Sequence, residues 1–388
     1  MTATSFHTPS IIELSYDAIA HNLSFIKRFV KKNVRISSVV KGNAYGHGIE
    51  IYVPAAEHCG IDHFSVFSID EAERVLSVKQ PETAVMIMGW IPPEGLIWVL
   101  ENDMEFWVFE PERLKEALKL ADKLGVKARI HIELETGMNR TGFGPYELNE
   151  IWPLLRTYKD AYVLEGLCTH LAGAESIANH VRIQRQIKRF RLMTGLFKDR
   201  GYQAKSLHAA SSAATIVYPA FQFDMVRVGI LQYGYWPSKE TFIHYVSRRK
   251  KKIDPLDRII SWKSSVMAVK HVRQGEFVSY GTTYLATEDK TIAIVPTGYS
   301  HGYSRALSNS GRILIHGQRV AVIGMINMNM LIADVSSLRD VVVGDEVVLI
   351  GKQEHQTISV ASFSELSNQL NYELLTRLPA GILRRLTP

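Results

Sequence analysis

Arg35-Ile36-Ser37-Ser38-Val39-Val40-Lys41-Gly42-Asn43-Ala44-Tyr45-Gly46-His47-Gly48 is an apolar, β-branched run that ends on a lysine and passes into a glycine-rich turn. The run predicts a strand from Arg35 to Val40 with Lys41 at its carboxyl end. A strand-end lysine by itself ordinarily just extends to water. Here the glycines permit positive φ and close backbone approach, and Tyr45 adds a hydroxyl within reach of an anion. Desolvation at such a place lowers the pKa of an amine enough for it to attack an aldehyde and form a Schiff base.

Outward from this turn the same pattern repeats. Short apolar runs at His63 to Phe67, Ala84 to Met88, Met104 to Phe109, Ala128 to Glu133, Val163 to Cys168, Ser206 to Ala209 and Met225 to Gly229 alternate with amphipathic segments. With Arg35 to Val40 they make eight βα units, which predicts an α/β fold, a (β/α)8 TIM-type barrel. Helical spacing is clear in Ile19, Leu23, Ile26 and Val30. Beyond the basic run Arg248-Arg249-Lys250-Lys251-Lys252 the spacing changes to closely set strands. These are Trp262 to Val272, Thr291 to Val295, Arg312 to Ile315, Val320 to Ile323, Leu331 to Val335 and Val341 to Ile350, followed by a helical segment at Ser362 to Leu378. Residues 1–245 therefore read as a barrel and 246–388 as a mainly β C-terminal domain. The strand-like Ser10 to Leu14 precedes the first helix, and the β domain is one candidate for its partner.

The 388 residues, 46% of them hydrophobic, suffice for a large core and a second domain. No apolar run approaches the ~20 residues of a membrane span, and the amino terminus lacks the basic start and apolar centre of a signal peptide. A soluble cytoplasmic protein is expected, with no membrane partner. Cys59 and Cys168 offer neither a disulfide framework nor metal-ligand spacing, so both read as small apolar residues and no metal is expected. The net charge of +6 comes largely from the run at 248–252, which sits just before Asp254-Pro255. That run reads as a solvated connection, not as a nucleic-acid surface.

Barrel enzymes work at the carboxyl ends of their strands. There the sequence places Lys41 after the first strand, Glu133 at the end of the fifth with Arg140 in its loop, His170 after the sixth, His208 in the seventh and Arg227 in the eighth. Each alone could be a satisfied structural group; their shared position favours a site. The loops after the last two strands, His208-Ala209-Ala210-Ser211-Ser212-Ala213 and Arg227-Val228-Gly229-Ile230, carry hydroxyls and a glycine suited to a phosphate monoester.

Several segments, taken in order, resemble the alanine racemase family. Val39 to Gly48 is similar to VVKANAYGHG, departing only at Gly42. His131 to Gly142 resembles HLKVDTGMGRLG, Thr169-His170-Leu171-Ala172 resembles THFA, and Met225 to Gly234 resembles VRPGIALYG. Val278-Ser279-Tyr280-Gly281 resembles VSYG, Pro296-Thr297-Gly298-Tyr299 resembles PIGY, and Tyr372 to Arg377 resembles YEILTR.

The resemblance implies pyridoxal 5'-phosphate (PLP) on Lys41, and interconversion of L- and D-alanine that supplies D-alanine for cell-wall peptidoglycan. It implies Lys41 and Tyr280 as bases on opposite faces of the α-carbon, with His170 as the partner of Tyr280. It implies Arg227 at the pyridine nitrogen, oriented by His208, and Arg140 at the phenolic oxygen. Tyr45, Ser212, Gly229, Ile230 and Tyr372 would hold the phosphate; Arg140, Tyr299 and Met328 would line the substrate. A homodimer follows, because in the family Tyr280 and the Met328 region reach a second subunit.

Departures bear on specificity. Glu133 stands where the family carries a carbamylated lysine, and two readings remain: a permanent anion near Arg140, or a glutamate that points to solvent. Met325, Asn327 and Asn329 replace Arg, Cys and Asp of GRVCMD; Ser211 and His301 replace Asn and Asp. An amino-acid racemase of broader or different specificity, acting for example on serine, lysine or arginine, is therefore the alternative. A decarboxylase of the same barrel class would need a Cys-Asp pair that Asn327-Met328-Asn329 lacks, and a non-catalytic PLP carrier would have no use for a β domain or Tyr280.

Overall fold

The computed structural model describes residues 9–367 and 371–388. It contains β1 (Ser10–Ser15), β2 (Arg35–Val39), β3 (His63–Val66), β4 (Ala84–Ile87), β5 (Glu105–Val108), β6 (Ala128–Glu133), β7 (Tyr162–Cys168), β8 (Ser206–Ser211) and β9 (Met225–Val228). β2 to β9 pair in parallel and close into a barrel, with Arg35 to Ser38 of β2 running beside Met225 to Val228 of β9. All eight expected barrel strands are present, within a few residues of their expected ends. Helix Tyr16–Phe29 leads into the first of them, and helices such as Pro111–Leu124 and His180–Asp199 connect later ones. Pro111–Leu124 begins with proline at its first turn and ends on Gly125 at φ +67°, a start and a stop that local chemistry dictates.

Inside the barrel, Cys168 is buried with Met86, Trp107 and Met225. It is the small apolar residue that its isolation in the sequence suggests. Trp107 donates its indole N–H to the Met86 sulfur at 3.2 Å.

The remaining strands are β10 (Ile260–Ser265), β11 (Ala268–Val272), β12 (Lys290–Val295), β13 (Arg312–Ile315), β14 (Gln318–Val322), β15 (Leu331–Asp334), β16 (Glu346–Gln353), β17 (Gln356–Ile358) and β18 (Leu383–Thr387). They form a sheet in the order β11-β12-β15-β14-β13-β16-β10-β1-β18, with β17 on β16. β1 lies antiparallel to β10 and parallel to β18, so the open partner of Ser10 to Leu14 is this sheet.

The single strand expected over Trp262 to Val272 is two, because the chain breaks at Val266-Met267 and β11 pairs with β12 while β10 pairs with β16. The strand expected from Val341 begins only at Glu346, after Gly344 turns the chain at φ +97°. The helix expected over Ser362 to Leu378 is seen as Val360–Ser367 and Asn371–Thr376, and its middle lies outside the described residues.

By contacts the chain divides into two compact units. One takes 18–42 and 52–257, the barrel; the other takes the described residues up to Asp17, 43–51 and 258–388, the β sheet with its helices.

Candidate active site

Strand β2 ends at Val39, and Lys41 begins a short helical turn, Lys41–Tyr45. The turn is left-handed: Gly42, Asn43, Ala44 and Tyr45 all have φ between +53° and +62°. Three of these are not glycine, and the left-handed region is unfavourable for L-residues. Glu71 holds its start, accepting the Gly42 N–H at 2.5 Å and the Phe67 N–H at 2.9 Å.

In the barrel unit, Lys41, Glu133, Arg140, His170 and Arg227 are close enough to act on one another by charge. Lys41 is reachable from solvent, as an amine that receives a ligand must be. Burial still lowers its pKa most, with Arg140 and Arg227 lowering it further against the pull of Glu71. Burial likewise pushes the His170 imidazole down to about 3, helped by Arg227, Arg140 and Lys41, so it is neutral at physiological pH.

Glu133 is 3% exposed, which rules out the solvent-facing reading. One of its oxygens, Oε2, is buried without a hydrogen-bond partner. Burial raises its pKa, opposed by a hydrogen bond from Thr141 and by the charges of Arg140 and Arg227.

Arg227 is buried and donates to His208 Nδ1 and, at 2.8 Å, to the Thr169 carbonyl oxygen. Its guanidinium lies over Trp107, 5.0 Å from the ring centre. Gly229 donates its N–H to Ser212 Oγ at 2.9 Å, and Ile230 follows, buried. Thus the loops after β8 and β9 bring a hydroxyl and a backbone N–H together.

The other expected residues lie in the β unit. Tyr45 and Tyr372 meet edge to face with ring centres 6.3 Å apart. Burial pushes the Tyr45 hydroxyl up to about 12, so it remains a donor. Tyr280 sits at the tip of a hairpin between β11 and β12, flanked by Ser279 and Gly281 at φ +68° and +69°. Ser279 Oγ bonds the Met325 carbonyl oxygen at 2.6 Å and Asn327 Oδ1 at 3.0 Å. Tyr299 donates its N–H to the Asn327 carbonyl at 3.0 Å. A Cβ on Gly298 would come within 2.2 Å of that oxygen, so only glycine allows this approach. Tyr280, Tyr299 and Met328, exposed by 72%, 42% and 55%, therefore stand on adjoining loops.

Sequence reasoning missed Glu71, His63, Glu105 and His131. The last was legible in principle: in β6, residues 129, 131 and 133 share one face by the period of two, so His131 points the same way as Glu133. Glu71 carried no such signal. Among the described residues no group of three or more His, Cys, Asp or Glu is placed to hold a metal.

A closed parallel barrel with a lysine of lowered basicity at the carboxyl ends of its strands, in a chain that also builds a separate β unit, defines a class of barrel enzyme. Residues 14–237 match the alanine racemase N-terminal domain and 259–386 the alanine racemase C-terminal domain. Similar proteins include alanine racemase 1 of Caldanaerobacter subterraneus subsp. tengcongensis, 32% identical over 97% of this chain and 94% of that one. Another is the alanine racemase of Methanococcus maripaludis, 34% identical over 97% and 98%. Among solved structures, alanine racemase of Clostridium difficile 630 superposes with a TM-score of 0.90 at 28% identity, covering 99% of this chain and 97% of that one. The Bacillus anthracis enzyme with bound L-Ala-P superposes at 0.89 with 31% identity, covering 99% and 96%. The chain belongs to the alanine racemase family and is an amino-acid racemase.

Proposed function

We propose that this chain interconverts L- and D-alanine with PLP held on Lys41, and so supplies D-alanine for cell-wall peptidoglycan. The observation that carries the reading is the Lys41 amine, lowered in pKa by burial and by Arg140 and Arg227 at the barrel mouth. The donor set of the barrel unit fits the cofactor: the Ser212 hydroxyl and Gly229 N–H, with Ile230, suit a phosphate, Arg140 suits a phenolic oxygen, and Arg227 suits a ring nitrogen acceptor. PLP, when bound, supplies the electron-withdrawing ring that makes the α-hydrogen acidic.

Each face of the α-carbon then needs a group that takes and returns a proton. Lys41 Nζ serves one face, its lowered pKa making the free amine more accessible than on an ordinary lysine. Tyr280 Oη, from the partner subunit of a homodimer, serves the other, and neutral His170 can accept its hydrogen bond. The exposure of Tyr280, Tyr299 and Met328 together supports a surface that completes a neighbouring site. Arg227 keeps its protons, so it would hold the ring nitrogen by a hydrogen bond without protonating it, which would favour proton return over side reactions. A broader specificity is the second reading. It is favoured because Asn327, one of the substituted residues, bonds directly to the Tyr280 hairpin through Ser279.

Racemisation of a panel of L-amino acids, read by chiral chromatography, tests substrate and reaction together; alanine should turn over fastest. Borohydride should trap a pyridoxyl group on the peptide containing Lys41 and on no peptide of Lys41→Ala. Tyr280→Phe should lower turnover by about 10² or more, while solvent exchange of the α-hydrogen from one enantiomer outlasts inversion. Unchanged racemisation in both directions would overturn the two-base reading.

A further inference from the structure

The barrel interior holds a continuous line of buried polar side chains that the roles above leave unused. Its outer end is Arg129, which donates to Glu105 Oε1 at 2.7 Å, Glu165 Oε1 at 2.8 Å and Asp103 Oδ2 at 3.0 Å. Oε2 of Glu105 faces His63 Nε2 at 3.0 Å and His131 Nε2 at 2.9 Å. His131 Nδ1 meets His208 Nε2 at 2.9 Å, and His208 Nδ1 meets Arg227. His63 continues to Ser37 Oγ at 2.8 Å. Glu105 and all three imidazoles are buried.

We infer that Glu105, on the first residue of β5, is a positioning residue for Arg227, which it orients through His131 and His208 by locking both imidazoles in one tautomer. The direction of every proton follows from the two ends. A guanidinium has donors and no acceptor, so His208 Nδ1 must accept and its proton lies on Nε2. His131 Nδ1 then accepts from His208, and His131 Nε2 carries the proton given to Glu105. An ionised carboxylate only accepts, so His63 also donates from Nε2, and its Nδ1 accepts a hydrogen bond from the Ser37 hydroxyl. One arrangement satisfies every group, and a buried network so satisfied is rigid.

Burial holds His63 and His208 below the usual imidazole range, which agrees with neutral rings. Burial would raise Glu105, but the hydrogen bonds from His131 and His63 outweigh it and hold the carboxyl well below its usual range. Gly166 of β7 makes room for the line: a Cβ there would stand 2.3 Å from His131 Nδ1 and 2.9 Å from His208 Nε2, the two atoms that share the central bond.

The consequence is for Arg227. One of its nitrogens is tied to a chain ending on a buried anion and another to the Thr169 carbonyl, so the guanidinium plane cannot turn. Its bearing on the cofactor rests on the proposed racemase reading; the tautomer lock does not.

The test is nitrogen-15 NMR of histidine-labelled protein as purified, with single replacements to assign the rings. His63, His131 and His208 should each be neutral with the proton on Nε2. A proton on Nδ1 of His131 or His208, or a doubly protonated ring, overturns the inference. In Glu105→Gln the amide cannot accept from two imidazoles and also face Arg129 with an acceptor, so at least one of these bonds must break and the ring-nitrogen shifts of His131, and through it His208, should move from their wild-type values; unchanged shifts at both overturn the role of Glu105. Should that variant fail to fold, Gly166→Ala keeps the carboxylate and parts the two rings. It should shift the His208 Nε2 resonance by breaking the bond to His131 while His63 stays as it was, and an unchanged His208 again overturns the proposal. In the cofactor-loaded enzyme, Glu105→Gln should lower kcat by about tenfold, the scale of groups that orient a reactive one from behind, with KM little changed. If the tautomers are as stated and no amino acid is racemised, the lock stands and the proposed function falls.

Discussion

Glu133 closes β6 with one oxygen bonded by Thr141 and Oε2 buried without a partner. A buried acid is costly unless something compensates its charge, and Arg140 and Arg227 are the cations that act on it. A carboxyl group there needs no carbon dioxide, because only an amine can be carbamylated. Activity should therefore be indifferent to added bicarbonate. Glu133→Gln keeps the shape and removes the charge; turnover and PLP affinity should both fall, by about 1 to 3 kcal/mol for the loss of a charge-assisted contact. Steady-state kinetics and cofactor titration check this, and wild-type values in both would show that the anion is idle. The position of Glu133 was legible from its strand end. Its burial was not, since a strand-end glutamate ordinarily reaches water.

The element that decides the site is the left-handed turn from Gly42 to Tyr45. Gly42 and Asn43 announce positive φ in the sequence; Ala44 and Tyr45 do not. What holds them comes from elsewhere in the chain. Gly48 donates to the Asn43 carbonyl at 2.9 Å and Ile49 to Asn43 Oδ1 at 3.2 Å. Within the β unit, Arg384 of β18 donates Nε to the Gly46 carbonyl at 2.9 Å. Gly46, at φ +83°, lies so near the Leu375 carbonyl that a Cβ would stand 1.8 Å from its oxygen. Gly42→Ala should lose about 1 to 2 kcal/mol for a left-handed L-residue, offset by about 0.4 to 1 kcal/mol from a less flexible unfolded chain. Urea unfolding should show a small net loss with borohydride trapping at Lys41 intact. A gain in stability would mean that position 42 does not need positive φ.

At the scale of the molecule, buried neutral histidines make the fold acid-sensitive. His47 in the β unit and His170 in the barrel are both pushed down to about 3, in each case by burial first. An unfolded histidine titrates near ~6.5. The unfolded chain thus binds more protons than the folded one between about pH 6.5 and about pH 3, and stability falls as pH falls through that window. At about pH 5, fully buried His47 alone should cost about 2 kcal/mol relative to neutral pH. Urea midpoints at about pH 7 and about pH 5 check the sign. An unchanged midpoint would mean that His47 and His170 reach water.

The number of βα units, the change to closely spaced strands after the basic run, and Lys41 at the end of the first barrel strand were all readable from local pattern. Period, β-branching and turn chemistry act between near neighbours, so they are written in order along the chain. The break at Val266-Met267 was not readable, because two different strands claim its two sides. Nor was the line from Glu105 to Arg227. His131 and His208 are 77 residues apart and His63 and Glu105 are 42 apart. Only closure of the barrel brings β3, β5, β6, β8 and β9 around one interior, where the absence of water obliges their polar groups to satisfy one another.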